Sequence, residues 1–143
     1  MKTAVATGSM NLLIRLSRLV FRRASEDVIG IRLKQLIALD YLREQGGSSQ
    51  QQLGQTLMLD PNNCVILLND LEQDGYVERR RDPSDRRRHM VEMTDAGLRA
   101  LERAEEKLET LEGEVLGKLS AEERSNLRAL MVKALEGCQP GHG

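Results

Sequence analysis

The 143-residue sequence predicts a mainly α-helical fold carrying one small β-hairpin, and three observations lead there. Apolar residues recur at helical spacing on both sides of the middle of the chain. Between Tyr76 and Thr94 that period gives way to alternation around a turn. With one Phe, two Tyr and no Trp, the core must be built from Leu, Ile, Val, Met and Ala.

The elements follow in order. Leu12, Leu13, Leu16, Leu19, Val20 and Ala24 make an amphipathic helix over about Ser9–Ser25, with Arg15, Arg18, Arg22 and Arg23 interleaved. A second helix over about Leu33–Glu44 uses Leu36, Ile37, Leu39 and Leu42, and Gly46-Gly47 stops it. A third starts at Ser49 with a capping box to Gln52 and buries Leu53 and Leu57. The fourth has Asp60 as N-cap and Pro61 at its first position, ends at Gly75, and buries Leu67, Leu68 and Leu71. Tyr76–Arg81 and Arg88–Thr94 then form two strands, joined by the turn-forming residues Asp82-Pro83-Ser84-Asp85. Thr94 caps a long helix whose Leu98, Leu101, Leu108, Leu111, Val115 and Leu119 draw a narrow seam of the coiled-coil type. Ser120, with Glu123 as partner, opens a last helix striped by Leu127, Leu130, Met131, Ala134 and Leu135. The expected organisation is a remnant or disordered stretch over 1–8, a dimerisation helix over 9–29, a central lobe over 30–94, dimerisation helices over 95–136 and a disordered tail over 137–143.

Composition narrows the function. The longest apolar run, Cys64–Leu68, is far short of the roughly 18 residues a membrane span needs. Arginines break up the first apolar stretch, so no secretory signal is read there. Cys64 and Cys138 are then expected as reduced thiols of a cytoplasmic protein, structural or on the surface rather than redox-active. His89 and His142 have no metal-site spacing, so neither metal nor cofactor is expected. An enzyme finds no support, since there is no phosphate loop and no nucleophile with a base.

The formal net charge of −1 hides an uneven distribution. No Lys or Arg lies between Gln45 and Glu78, whereas Arg79, Arg80, Arg81, Arg86, Arg87 and Arg88 follow at once around the turn. A local basic cluster is the footprint that phosphate binding leaves. Two short helices joined by a tight turn, the second followed by a hairpin, form a winged helix-turn-helix. The major groove of B-DNA admits one α-helix, which a second helix braces across the backbone. The bracing helix would be Ser49–Leu57 and the recognition helix Asp60–Asp74, with the hairpin as a wing. Double-stranded DNA is the partner this implies.

From about Gly30 to Leu135 the chain resembles the MarR family of transcriptional regulators. The residues that carry the likeness are Leu53-Gly54, Leu59-Asp60, Leu71-Glu72, Gly75-Tyr76-Val77-Glu78-Arg79-Arg80, Asp82-Pro83-Ser84-Asp85-Arg86-Arg87 and Val91-Glu92-Met93-Thr94 with Gly97. The resemblance implies a homodimer built through the first and last two helices, a wing Arg in the minor groove, and release of DNA by a small anionic aromatic ligand or by thiol oxidation. The chain departs from the family at Val65 and Ile66, where Ser or Arg is usual, at Asp70, where Arg is common, and at Gly54, where Ala is usual; the recognition helix is acidic.

Candidate DNA-binding residues are Ser49, Gln50, Asn62, Asn63, Val65, Ile66, Asn69, Arg80, Arg81, Asp85, Arg86, Arg87 and Arg88. Asn62 and Asn63 lie in the first turn of the recognition helix, where Asn pairs with adenine, or else one of them caps the helix or faces water. Val65 and Ile66 either touch a thymine methyl or pack inward, and Asn69 is a candidate for phosphate. Asp85 is placed to orient the Arg87 guanidinium. Arg15, Arg18 and Arg22 are the candidate cations for an anionic effector, against the alternative of surface arginines. The competing function is a winged-helix protein-interaction module without DNA binding.

Overall fold

The structure, a computed structural model, describes residues 7–138. Most of the stretches expected to be disordered, 1–6 and 139–143, therefore lie outside the described residues. The elements run α1 (Ser9–Arg23), α2 (Glu26–Ile29), α3 (Leu33–Gln45), β1 (Ser48–Ser49), α4 (Gln50–Thr56), α5 (Pro61–Gln73), β2 (Val77–Asp82), β3 (Asp85–Met93), α6 (Asp95–Glu109), α7 (Glu112–Val115) and α8 (Ala121–Glu136). Among the described residues no helix is long and apolar enough to cross a membrane.

The mainly helical fold with its wing is as the sequence predicts, with three differences. β1 pairs antiparallel with β3, opposite Met90 and Val91, so the sheet has three strands in the order β1-β3-β2. A strand of two residues is too short to show alternation. The four-residue α2 is likewise too short to show a 3.6 period, and it closes on Gly30. Third, the long helix expected from Thr94 stops at Glu109. There the Thr110 hydroxyl donates to the carbonyl of Lys107 at 2.6 Å, and Gly113 follows, both weakening helix continuation.

Leu39, Leu42, Leu53, Leu68, Leu71, Val77, Val91 and Leu101 are fully buried and form one aliphatic core. Ile37 is not part of it; it is exposed, and Ala38 and Tyr41 fill the inner face of α3 instead. The leucine seam of α6 also differs from its expected role. Leu101 and Leu111 are buried and Leu98 and Leu108 half-buried within this chain, where α6 packs on α2 and α3. The exposed apolar surface lies on α1 and α8, neither of which has a buried residue. It comprises Leu12, Leu13, Ile14, Leu19 and Phe21 on α1, and Leu130, Met131, Val132 and Leu135 on α8. Arg23 reaches Glu114 at 2.8 Å and Arg128 reaches Glu112 at 3.3 Å, tying α1 and α8 to α7.

The recognition helix, wing and α6 meet at one junction. Gly75 ends α5 with φ +78°, a left-handed conformation that costs other residues strain. The Tyr76 amide donates to the Leu71 carbonyl at 2.9 Å, and the Tyr76 carbonyl accepts from the Thr94 amide at 3.0 Å. Thr94 donates its hydroxyl to the Gly75 carbonyl at 2.6 Å while capping α6 through the Gly97 amide at 3.0 Å. A Cβ on Gly97 would sit 2.2 Å from the Tyr76 oxygen, so no side chain fits there. Gly97→Ala should accordingly cost about 1–3 kcal/mol by overpacking. Urea unfolding measures this, and an unchanged midpoint would contradict the close approach.

Candidate nucleic-acid interface

Capping sets the angle of both helices in the helix-turn-helix. Ser49 accepts from the Gln52 amide at 3.1 Å, so α4 starts as predicted, although only this arm of the expected capping box forms among the described residues. Ser49 is buried at 6% exposure with its hydroxyl committed to the cap, which sets it behind the surface rather than on it. Asp60 caps α5 from both carboxylate oxygens, accepting from the Asn63 amide and from Asn63 Nδ2, each at 2.8 Å. Between them Met58 takes φ +58° and is 91% exposed. Gly54 explains itself here: a Cβ would lie 3.3 Å from Cys64 Sγ, so the bare backbone lets α4 close on α5.

Burial of Cys64, Leu67, Leu68 and Leu71 turns the opposite face of α5 to solvent. That face carries Asn62, Val65, Ile66 and Asn69, all exposed, so the two apolar residues point outward rather than pack inside. Asn63 serves as part of the cap, whereas the Asn62 amide has no partner among the described residues.

The acidity of α5 lies on its flanks and is compensated. Arg32 pairs with Asp70 at 2.6 Å, and Gln35 donates to Asp74 at 3.2 Å. Arg79 donates to Glu72 at 2.9 Å and to Asn69 Oδ1 at 2.5 Å. The Arg79 hydrogen bond holds the Glu72 carboxyl below its ordinary range, against a smaller opposing effect of desolvation. The helix is acidic as expected, with its acids to the sides of the uncharged face that carries Asn62, Val65, Ile66 and Asn69.

Strand alternation divides the arginines of the wing. Arg79 shares the inner face with Val77 and reaches α5, its side chain only 19% exposed. Arg80 points outward and pairs with Glu92 across the hairpin. Arg81 donates to the Arg86 carbonyl at 3.0 Å. At the tip Asp82 accepts from the amide and hydroxyl of Ser84 at 2.9 and 2.7 Å, closing the turn over Pro83-Ser84. Asp85 accepts from the Arg87 backbone amide at 3.1 Å, and its carboxylate lies 3.6 Å from Arg87 Nε. It thus holds the Arg87 backbone by a hydrogen bond and the guanidinium by a looser ion pair. Arg86, Arg87 and Arg88 all extend into solvent.

A cleft of about 390 Å³ opens between α4, the start of α5 and β3, lined among others by Gln50, Gln51, Gln55, Pro61, Arg87 and Arg88. Gln50 Oε1 is buried there without a partner among the described residues. Cys64 forms part of the wall, its thiol donating to the Gln50 carbonyl at 3.7 Å. Burial pushes that thiol above its ordinary value despite the opposing field of Arg79, which disfavours the reactive thiolate. Arg15, Arg18 and Arg22 are exposed on α1. A second cleft beside that helix, about 340 Å³, is lined by Leu13, Leu16, Val20, Leu108, Leu111 and Leu127 among others, and by none of the three arginines.

The MarR family model matches residues 29–88. The transcriptional regulator BilQ of Clostridium symbiosum is 31% identical over 104 residues, spanning 73% of this chain and 72% of BilQ. The uncharacterised regulator YdgJ of Bacillus subtilis is 34% identical over 108 residues, 76% of this chain and 66% of its own. Among solved structures, wild-type MarR of E. coli in its apo form superposes with a TM-score of 0.80 at 23% identity, covering 90% of this chain and 97% of that one. At that identity the likeness shows the fold, a winged helix.

Two outcomes test this geometry. Cys138 is exposed and Cys64 buried, so an alkylating reagent should modify Cys138 quickly and Cys64 only on unfolding; mass spectrometry of peptides reads the order. For Glu72 the folded pKa is depressed. Its stabilising effect is present at neutral pH, above the unfolded value, and is lost as pH falls through the folded one. Glu72→Gln should lower Tm at pH 7, and the difference from the parent protein should vanish in acid.

Proposed function

We propose that this chain, which belongs to the MarR family of transcriptional regulators, represses transcription as a homodimer on a near-palindromic operator. The observation that carries the DNA-binding reading is the pairing of surfaces. An uncharged face of α5 stands beside a wing whose tip sends Arg86, Arg87 and Arg88 into solvent. A helix of that kind suits the major groove, where Asn62 would pair with adenine and Val65 or Ile66 would touch a thymine methyl. The wing suits the backbone or the minor groove, whose negative potential attracts Arg. Arg80 and Arg81 flank that tip as weaker contributors, since the protein already uses their guanidinium groups. Gln50 contributes from the edge of the cleft. A homodimer would cover the apolar residues of α1 and α8, more surface than a small monomer ordinarily leaves open.

Sedimentation at micromolar concentration should show twice the chain mass of 16.1 kDa, and a single species at 16.1 kDa would remove the dimer. Titration against the DNA flanking the chain's own gene tests the rest. Each phosphate neutralised contributes about −0.9 to the slope of log K against log salt. Because a dimer doubles every substitution, losing one phosphate-bound wing Arg should flatten the slope by about 2. Arg87→Ala should weaken binding more than Arg80→Ala, whose guanidinium is spent on Glu92, and Arg87→Lys should not restore it. Asp85→Ala should also weaken binding although it removes a negative charge; tighter binding would leave the wing a plain charge cluster. Exposed Val65 and Ile66 favour the second reading, a protein-interaction module, and absence of any shift at low salt would select it.

A further inference from the structure

Resting on the DNA-binding reading, the geometry points to Ile66 as a reader of the C5-methyl group of pyrimidines, so that at one position per half-site the protein recognises a methyl rather than a base. Ile66 follows Asn62 by four residues and precedes Asn69 by three, spacings that put the three in one row along α5. The row lies opposite the buried Cys64, Leu67, Leu68 and Leu71, and Ile66 in its middle is 50% exposed. Val65 stands to one side, in the wall of the cleft shared with β3. A β-branched residue on a solvated helix face loses side-chain freedom and gains little burial, so fold stability does not account for Ile66. The same stiffness makes it a preset probe: one rotamer dominates in a helix, and little freedom is left to lose on contact. Amides before and after it in the row keep the surface from being a broad apolar patch, and the solvated Arg86, Arg87 and Arg88 stand on the neighbouring wing.

The chemistry of the groove makes the assignment. In the major groove only thymine displays an apolar group, its C5-methyl, while the other base edges offer hydrogen-bond donors and acceptors. An aliphatic side chain set against those groups strips them of water and cannot replace the hydrogen bonds. Set against the methyl, it removes apolar surface from water on both sides. Ile66 has no polar atom with which to sense position 4 of the ring, where thymine carries an oxygen and cytosine an amino group. A cytosine methylated at C5 presents its methyl on the same carbon, so it should be accepted where unmodified cytosine is not. Methylation of the operator at that carbon would then strengthen binding.

The test begins with selection of a motif from a randomised duplex library by the full chain. Each thymine of that motif is then replaced by deoxyuridine, which lacks only the methyl, and binding is titrated. At one position per half-site the loss should be about fourfold, or about fifteenfold when both half-sites are changed. At the same position a 5-methylcytosine–guanine pair should bind more tightly than a cytosine–guanine pair by the same factor. Ile66→Ala should erase both differences while binding the uracil operator about as well as the parent protein does, and Val65→Ala should leave both in place. The Ile66→Ala variant should fold, because the side chain is half exposed and Ala favours a helix, and thermal melting checks this. If no thymine shows the methyl effect, if Ile66→Ala weakens thymine and uracil operators alike, or if Val65→Ala is the variant that erases the effect, the proposal is overturned and the DNA-binding reading stands. If the parent protein selects no motif at all, it is that underlying reading which fails.

Discussion

The peptide between Gly75 and Tyr76 is the point on which the fold depends. That peptide's carbonyl and amide, with the next carbonyl on Tyr76, tie down the end of α5, the start of β2, the end of β3 and the cap of α6. Four elements can meet there only because Gly75 takes a left-handed conformation and Gly97 offers no side chain. The inward turn of Arg79 follows from it, because strand alternation is counted from Val77. The angle between recognition helix and wing, which any DNA surface would have to match, is therefore set by backbone hydrogen bonds rather than by side-chain packing alone.

A second constraint is charge. A helix meant for a phosphate-lined groove carries Asp70, Glu72 and Asp74 and no cation. The fold resolves this by assigning those acids to Arg32, Arg79 and Gln35, which come from α3, its N-terminal edge and the wing. These pairs are partly exposed, so each contributes little to stability. Their effect is on presentation: the acids hold their partners and leave Asn62 and Asn69 as the polar groups of the outward face. The same network removes Arg79 from the charge cluster and adds a fixed amide in its place.

Much of this was legible in the sequence where a residue type had one physical use. Asp60-Pro61, Thr94 and Ser120 marked helix starts because their side chains cap backbone amides, and each does so here. Asp82-Pro83-Ser84-Asp85 likewise marked the turn. The rest required three dimensions. The leucine seam of α6 has the same spacing whether it faces a partner or the inside of its own chain, and only the placement of α2 and α3 decides. Six arginines in two runs of three looked equivalent, yet pairing with Asn69, Glu72 and Glu92 sets Arg79 and Arg80 apart. The departure at Gly54 has its reason in the close approach of Cys64, ten residues along the chain on the next helix. The contact between Asn69 and Arg79 had no sequence signal, because the two lie ten residues apart on different elements.

The terminal helices have a consequence for how order is maintained. α1 and α8, of 15 and 16 residues, have no fully buried residue within their own chain, and helices of that length are marginal when left to water. Their helicity is then supported by whatever covers them. If that cover is a second copy, ordering of the termini and association become one coupled equilibrium, governed by mass action. The fraction of chains with well-formed ends would rise with the amount made, so abundance itself would become a variable that sets how much of the protein is competent.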